Sequence, residues 1–156
     1  VAYTARSNRA DPIALERFST HFNFEPMVFD TADEQGTPIY HTNVMMALGE
    51  AFAVVCLSAI DDLTERAALV KELQGDGKEI IDVTEDQINN FAGNEIELCN
   101  ADGKRFTIMT KATYDCLTPE QRAVIEKTSE IISPDVKTIE TYGGGSVRCM
   151  ISEIFL

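Results

Sequence analysis

Basic residues are scarce in this chain: 13 lysines and arginines face 26 aspartates and glutamates, a formal charge of −13 over 156 residues. No Lys/Arg-rich run offsets that balance locally, so phosphate backbones and anionic lipid are repelled and nucleic acid is excluded as a partner. Long apolar runs are also missing. A membrane helix needs roughly 20 such residues, and the longest run here, residues 51–60, has the length and composition of a strand. The four cysteines, Cys56, Cys99, Cys116 and Cys149, form no C-x-x-C pair, and no histidine sits at zinc-finger spacing, which argues against a structural metal. Val1 is preceded by no initiator methionine and opens no secretion signal. The expectation is that a segment was removed ahead of it, and that the thiols stay reduced in the cytoplasm.

What is present is enough apolar surface for a core, 44% of residues, in one soluble domain covering residues 1–156. Short strands alternate with helices, an α+β pattern. Residues 1–5 read as a strand, and residues 12–22 as a helix capped by Asp11 with Pro12 at its first position. Residues 26–29 form a second strand. A hairpin is predicted from residues 44–48 and 52–59, then a helix over 62–73 that stops near Gly75 and Gly77, and a strand over 78–83. Thr84 and Gln87 have capping-box spacing for a short helix. Residues 95–99 and 106–109 read as another hairpin across Ala101-Asp102-Gly103, followed by a helix from Thr118 or Pro119 to about Ile132. Residues 136–140, a glycine loop and a final apolar strand over 150–156 complete the chain. The recurrence is strand pair, helix, strand, at a period of about fifty to sixty residues, which points to a repeat assembly.

Gly143-Gly144-Gly145-Ser146-Val147-Arg148-Cys149-Met150 carries the strongest chemical signal. Consecutive glycines are entropically wasteful unless the backbone needs positive φ or approaches another group closely. They lead into Cys149, the candidate nucleophile. A thiol at neutral pH is only a few per cent thiolate, so it needs a base or cation nearby. Tyr40-His41-Thr42-Asn43-Val44-Met45-Met46 supplies the imidazole, His41. The bland alternatives are a buried core thiol for Cys149 and a surface-strand histidine for His41. Arg148 is read as structural, because successive strand residues point to opposite faces. Glu95 and Glu97 share one strand face whose surroundings are not readable.

These two segments, with Phe91-Ala92-Gly93-Asn94 and Thr138-Ile139-Glu140, resemble the amidinotransferase-like branch of the guanidino-group-modifying (pentein) superfamily, and within it the citrulline-utilisation hydrolases. The resemblance implies an α/β propeller of five strand-strand-helix-strand units around a central site, of which this chain is roughly the last two and a half. Acidic residues that grip the amidino or ureido group are then expected in the earlier half. The resemblance further implies that Cys149 attacks the central carbon of that group, and that His41 protonates the leaving amine and then activates water. Asn43, Asn94, Gly144 and Gly145 would face the substrate. Arginine deiminases of the superfamily carry an Asp two residues after this His. Asn43 there is neutral, which suits an uncharged ureido group better than a guanidinium. The expected activity is hydrolysis of a non-peptide C–N bond in an arginine- or citrulline-like amino acid. An amidinotransferase and a non-catalytic binding module of the same fold are the alternatives. No cofactor or metal is called for, and the partners are a small amino-acid substrate and the earlier half of the propeller or a second copy.

Overall fold

The computed structural model describes residues 1–152 and 154. Three small sheets follow one another along the chain. In the first, β1 (Ala2–Ala5) and β2 (Pro26–Phe29) pair in parallel, joined by α1 (Pro12–Phe22). The helix begins where Asp11 accepts the Ala14 N–H, and it ends at Asn23 in the left-handed conformation. After α2 (Thr42–Met45) comes the second sheet. There β3 (Met46–Leu48) runs antiparallel to β4 (Phe52–Val55), and α3 (Leu63–Gly75) crosses over to β5 (Glu79–Asp82), parallel to β4. The third sheet follows α4 (Glu85–Asn89) and repeats the scheme. β6 (Ile96–Cys99) is antiparallel to β7 (Arg105–Ile108), and α5 (Lys111–Cys116) with α6 (Pro119–Glu126) leads to β8 (Glu130–Ile132), parallel to β7.

The strand-strand-helix-strand unit therefore occurs twice in full and once without its first strand, as in a partial propeller. β4, the central strand of its sheet between β3 and β5, is buried along its whole length. Phe29, Met45, Phe52, Ile60, Leu69 and Ile125 fill the space between units. No described helix is long and apolar enough to cross a membrane.

Several elements depart from the expected pattern. The hairpin strands are shorter than 44–48 and 52–59, because residues 42–45 form α2 and residues 57–59 a 3-10 turn. The helix from Pro119 ends at Glu126, and residues 130–132 instead pair with β7 as β8. Helix α5 was not foreseen; Thr110 caps it by accepting the Thr113 N–H. Residues 137–143 form α7 (Lys137–Gly143). Val147–Met150 form a short helix, α8, where Met150 was expected to open a strand. The rest of that expected strand includes residues 153, 155 and 156, which lie outside the described residues.

Candidate active site

The segment carrying His41 and Asn43 is tied to β1 through its threonine. Thr42 Oγ1 accepts the Ala5 N–H at 2.9 Å, and Ser7 Oγ donates to the Tyr40 carbonyl at 3.0 Å. His41 itself is exposed, in extended backbone, and Asn43 follows in the first turn of α2. Against this segment lies the turn from Phe91 to Asn94. Gly93 permits the approach, since a Cβ there would run into the Val44 carbonyl oxygen. Phe91 takes a positive φ of 66° to make the turn, which the Asn94 N–H closes onto the Phe91 carbonyl at 2.8 Å.

Asn94 is buried and faces two ways. Its Nδ2 donates to the Asn43 carbonyl at 3.2 Å and reaches Cys149 Sγ at 3.4 Å. Cys149 arrives from the opposite side in α8. Gly144, at φ 69°, ends α7 with its N–H on the Glu140 carbonyl, so that donor is already in use. Gly145 owes its residue type to the cysteine: a Cβ there would sit 3.1 Å from Cys149 Cβ. Buried Ser146 donates to Glu140 Oε1 at 2.8 Å, fixing the entry to α8.

Arg148 does not diverge from the site as strand alternation predicts, because residues 147–150 are helical. Its Nη1 donates to the Glu95 carbonyl at 3.2 Å. With Arg9, Tyr40, His41, Thr42 and Asn43 it lines a surface pocket of about 350 Å³. The Arg9 guanidinium lies 5.5 Å from the Tyr40 ring, whose centroid is 4.7 Å from that of His41. The structure thus joins Cys149, Asn94 and the Asn43 backbone through one amide, and places His41, Asn43 and Arg148 around one pocket. Gly145 touches the cysteine, while Gly144 serves the helix end.

Two neighbours were not readable from sequence. Glu97 is engaged: its Oε2 accepts the Glu50 N–H at 2.8 Å and an Arg105 N–H at 3.2 Å. Glu95 is 1% exposed, and neither carboxylate oxygen has a hydrogen-bond partner among the described residues. Burial alone pushes its carboxyl up to about 8. The only sequence signal was its adjacency to Asn94.

The repeated strand-strand-helix-strand units are those of the guanidino-group-modifying, or pentein, class. The chain belongs to the N,N dimethylarginine dimethylhydrolase family, eukaryotic, whose model matches residues 1–156. Solved structures of the same fold include apo ArgZ, an arginine dihydrolase from the ornithine-ammonia cycle in Cyanobacteria. It is 15% identical with a TM-score of 0.69, over 99% of this chain and 23% of that one. A variant of the ArgZ N-terminal domain covalently bonded to a reaction intermediate matches at 14% identity and a TM-score of 0.68, over 95% of this chain and 49% of that one. AgrE in ternary complex with ornithine and NAD+ matches at 16% identity and a TM-score of 0.69, over 99% of this chain and 21% of that one. The chain therefore spans between about a fifth and a half of these solved chains. No curated protein matches it.

Proposed function

We propose that this chain carries the nucleophile of a cysteine-dependent hydrolase that cleaves a non-peptide C–N bond in the guanidino or ureido group of an arginine- or citrulline-like amino acid. The observation that carries the reading is the Asn94 amide set between Cys149 Sγ and the backbone of the His41 segment. Covalent chemistry is supported by the family and by the intermediate bonded to the ArgZ domain.

In this scheme the Cys149 thiolate adds to the planar central carbon, forming an S–C bond and a tetrahedral intermediate. The C–N bond to the leaving amine breaks as His41 gives that nitrogen a proton. The neutral imidazole then takes a proton from water, whose oxygen adds to the carbon. The S–C bond breaks, and the sulfur leaves with the electron pair. Asn43 faces the nitrogen-bearing end of the substrate, Asn94 keeps a donor on the sulfur, Gly144 ends α7 ahead of the nucleophile, and Gly145 lets the backbone close around Cys149. The neutral Asn43 amide favours a ureido group. The family's name speaks for a substituted guanidinium, and both fit one planar-carbon mechanism.

The chain, residues 1–156, is on this reading one partial propeller domain, completed by an earlier half that supplies acidic groups to the substrate. Its setting is the reducing cytoplasm, which keeps exposed Cys149 and Cys99 as thiols. The test is incubation with a chloroacetamidine-type probe followed by intact and peptide mass measurement. Cys149 alone should be labelled; equal labelling of all four cysteines means that none is activated and overturns the assignment.

A further inference from the structure

The Glu95 carboxyl has no part in that scheme, yet it sits one residue from the amide that touches the nucleophile. Both its oxygens are buried and unpartnered. Its own carbonyl, by contrast, is held by Arg148, the residue before Cys149. Leaving a carboxyl without a partner inside a protein is costly, and leaving a carboxylate so is far costlier.

We propose that Glu95 is a positioning residue for Cys149: while protonated it seats the corner at residues 94 and 95 against the thiol, and when ionised it draws Arg148 off its carbonyl. The proposal rests on the reading of Cys149 as the nucleophile.

The groups around Glu95 favour this outcome. From α5, the Cys116 thiol is itself pushed up, chiefly by burial and in part by the Glu95 charge, so it offers no compensation. On β6, Glu97 is occupied by Arg105 of β7 and by the Glu50 N–H. From α8, Arg148 is the cation already hydrogen-bonded to the Glu95 carbonyl. Because Arg148 also lines the pocket with His41 and Asn43, its release from the Glu95 carbonyl changes that pocket's wall. Burial sets the pH at which this happens near 8.

The test follows the chain, isotopically labelled with ¹⁵N, between about pH 6.5 and 9.5 by NMR. The Asn94 side-chain amide and the Arg148 Nε–H should shift together in one step with a midpoint near 8. Both should stay flat in Glu95→Gln and in Glu95→Met, the latter covering the case in which a buried amide prevents folding. Iodoacetamide alkylation of Cys149 should match in all three proteins at about pH 6.5. At about pH 9 the unsubstituted chain should lag roughly threefold, since displacement of the 94–95 corner takes the Asn94 donor off the sulfur. Signals that do not move, or that move equally in both variants, overturn the proposal, as do equal alkylation rates at the higher pH. Failure of chloroacetamidine labelling with titrating Asn94 signals would instead remove the nucleophile reading and leave the coupling in place.

Discussion

Glu95 and Asn94 are adjacent in the chain and opposite in circumstance. Asn94 has its amide hydrogen-bonded on two sides, and Glu95 has its carboxyl bonded on none. The consequence for stability has a definite sign. In the unfolded chain a glutamate titrates near 4.3, whereas in the folded chain Glu95 holds its proton up to about 8. Below the unfolded value both states are protonated and nothing is lost. Between the two values the unfolded state sheds the proton and the folded state keeps it, so stability falls as pH rises. Above the folded value the full penalty is present. Urea denaturation should therefore show a midpoint that drops from about pH 5 to about pH 8, by a loss on the order of a few kcal/mol. Glu95→Met should remove most of that drop; a slope unchanged in the variant would assign it to other groups. None of this was legible in Asn94-Glu95-Ile96-Glu97. Two glutamates two places apart share one strand face, and nothing in the spacing says whether that face is wet or central; only tertiary packing buries Glu95.

At the scale of elements, the site depends on two close approaches that glycine makes possible, at Gly93 and Gly145. Gly93→Ala forces its new methyl against the Val44 carbonyl, and neither backbone segment can yield without breaking the Asn94 turn. A cost of about 1–3 kcal/mol is expected, seen as a lower urea midpoint. Selective labelling of Cys149 should fall with it; a fully stable variant would mean that the turn is not packed on α2 as described. The elements that sequence located well are those whose ends are set locally. Thr84 with Gln87 and Thr118 with Gln121 each form the reciprocal box of side-chain and backbone bonds that the spacing foretold. The elements it misjudged were decided by a neighbour. β8 follows a helix with no strong stop signal and becomes a strand because β7 offers it a parallel edge. Helix α8 replaces the start of an expected strand because the glycine run folds back until Gly145 touches Cys149.

For the whole molecule, the first sheet shows what the two complete units contain and it lacks. β4 and β7 each have an antiparallel neighbour on one edge and a parallel one on the other. β1 has only the parallel one. The Ala2 and Arg6 N–H groups bond to the β2 side, so by alternation Tyr3 and Ala5 face the other edge, where Thr42 takes the Ala5 donor. The Tyr3 amide should exchange rapidly in this chain alone. If the proposed earlier half of the propeller covers that edge, the amide should gain protection when such a half is co-expressed, as measured by hydrogen exchange with mass spectrometry. Slow exchange in the isolated chain would mean that the edge is already closed. Apolar Ile13, Phe18, Phe22 and Phe24 stand exposed on and just after α1 of the same unit, an apolar patch of the kind that marks an interaction surface.

Sequence alone determined what depends on a few consecutive residues: the helix caps, the strand-strand-helix-strand rhythm, the glycine run before Cys149, and the motifs that mark the pentein class. These are local because capping, turn geometry and side-chain periodicity act over a handful of positions. Tertiary structure decided the contacts that join distant segments. Asn94 meets a carbonyl 51 positions before it and a sulfur 55 positions after it, and Arg148 reaches back 53 positions to the Glu95 carbonyl. Burial decided the rest, since whether a glutamate is solvated or sealed beside a thiol depends on what packs over it, and no spacing along the chain encodes that.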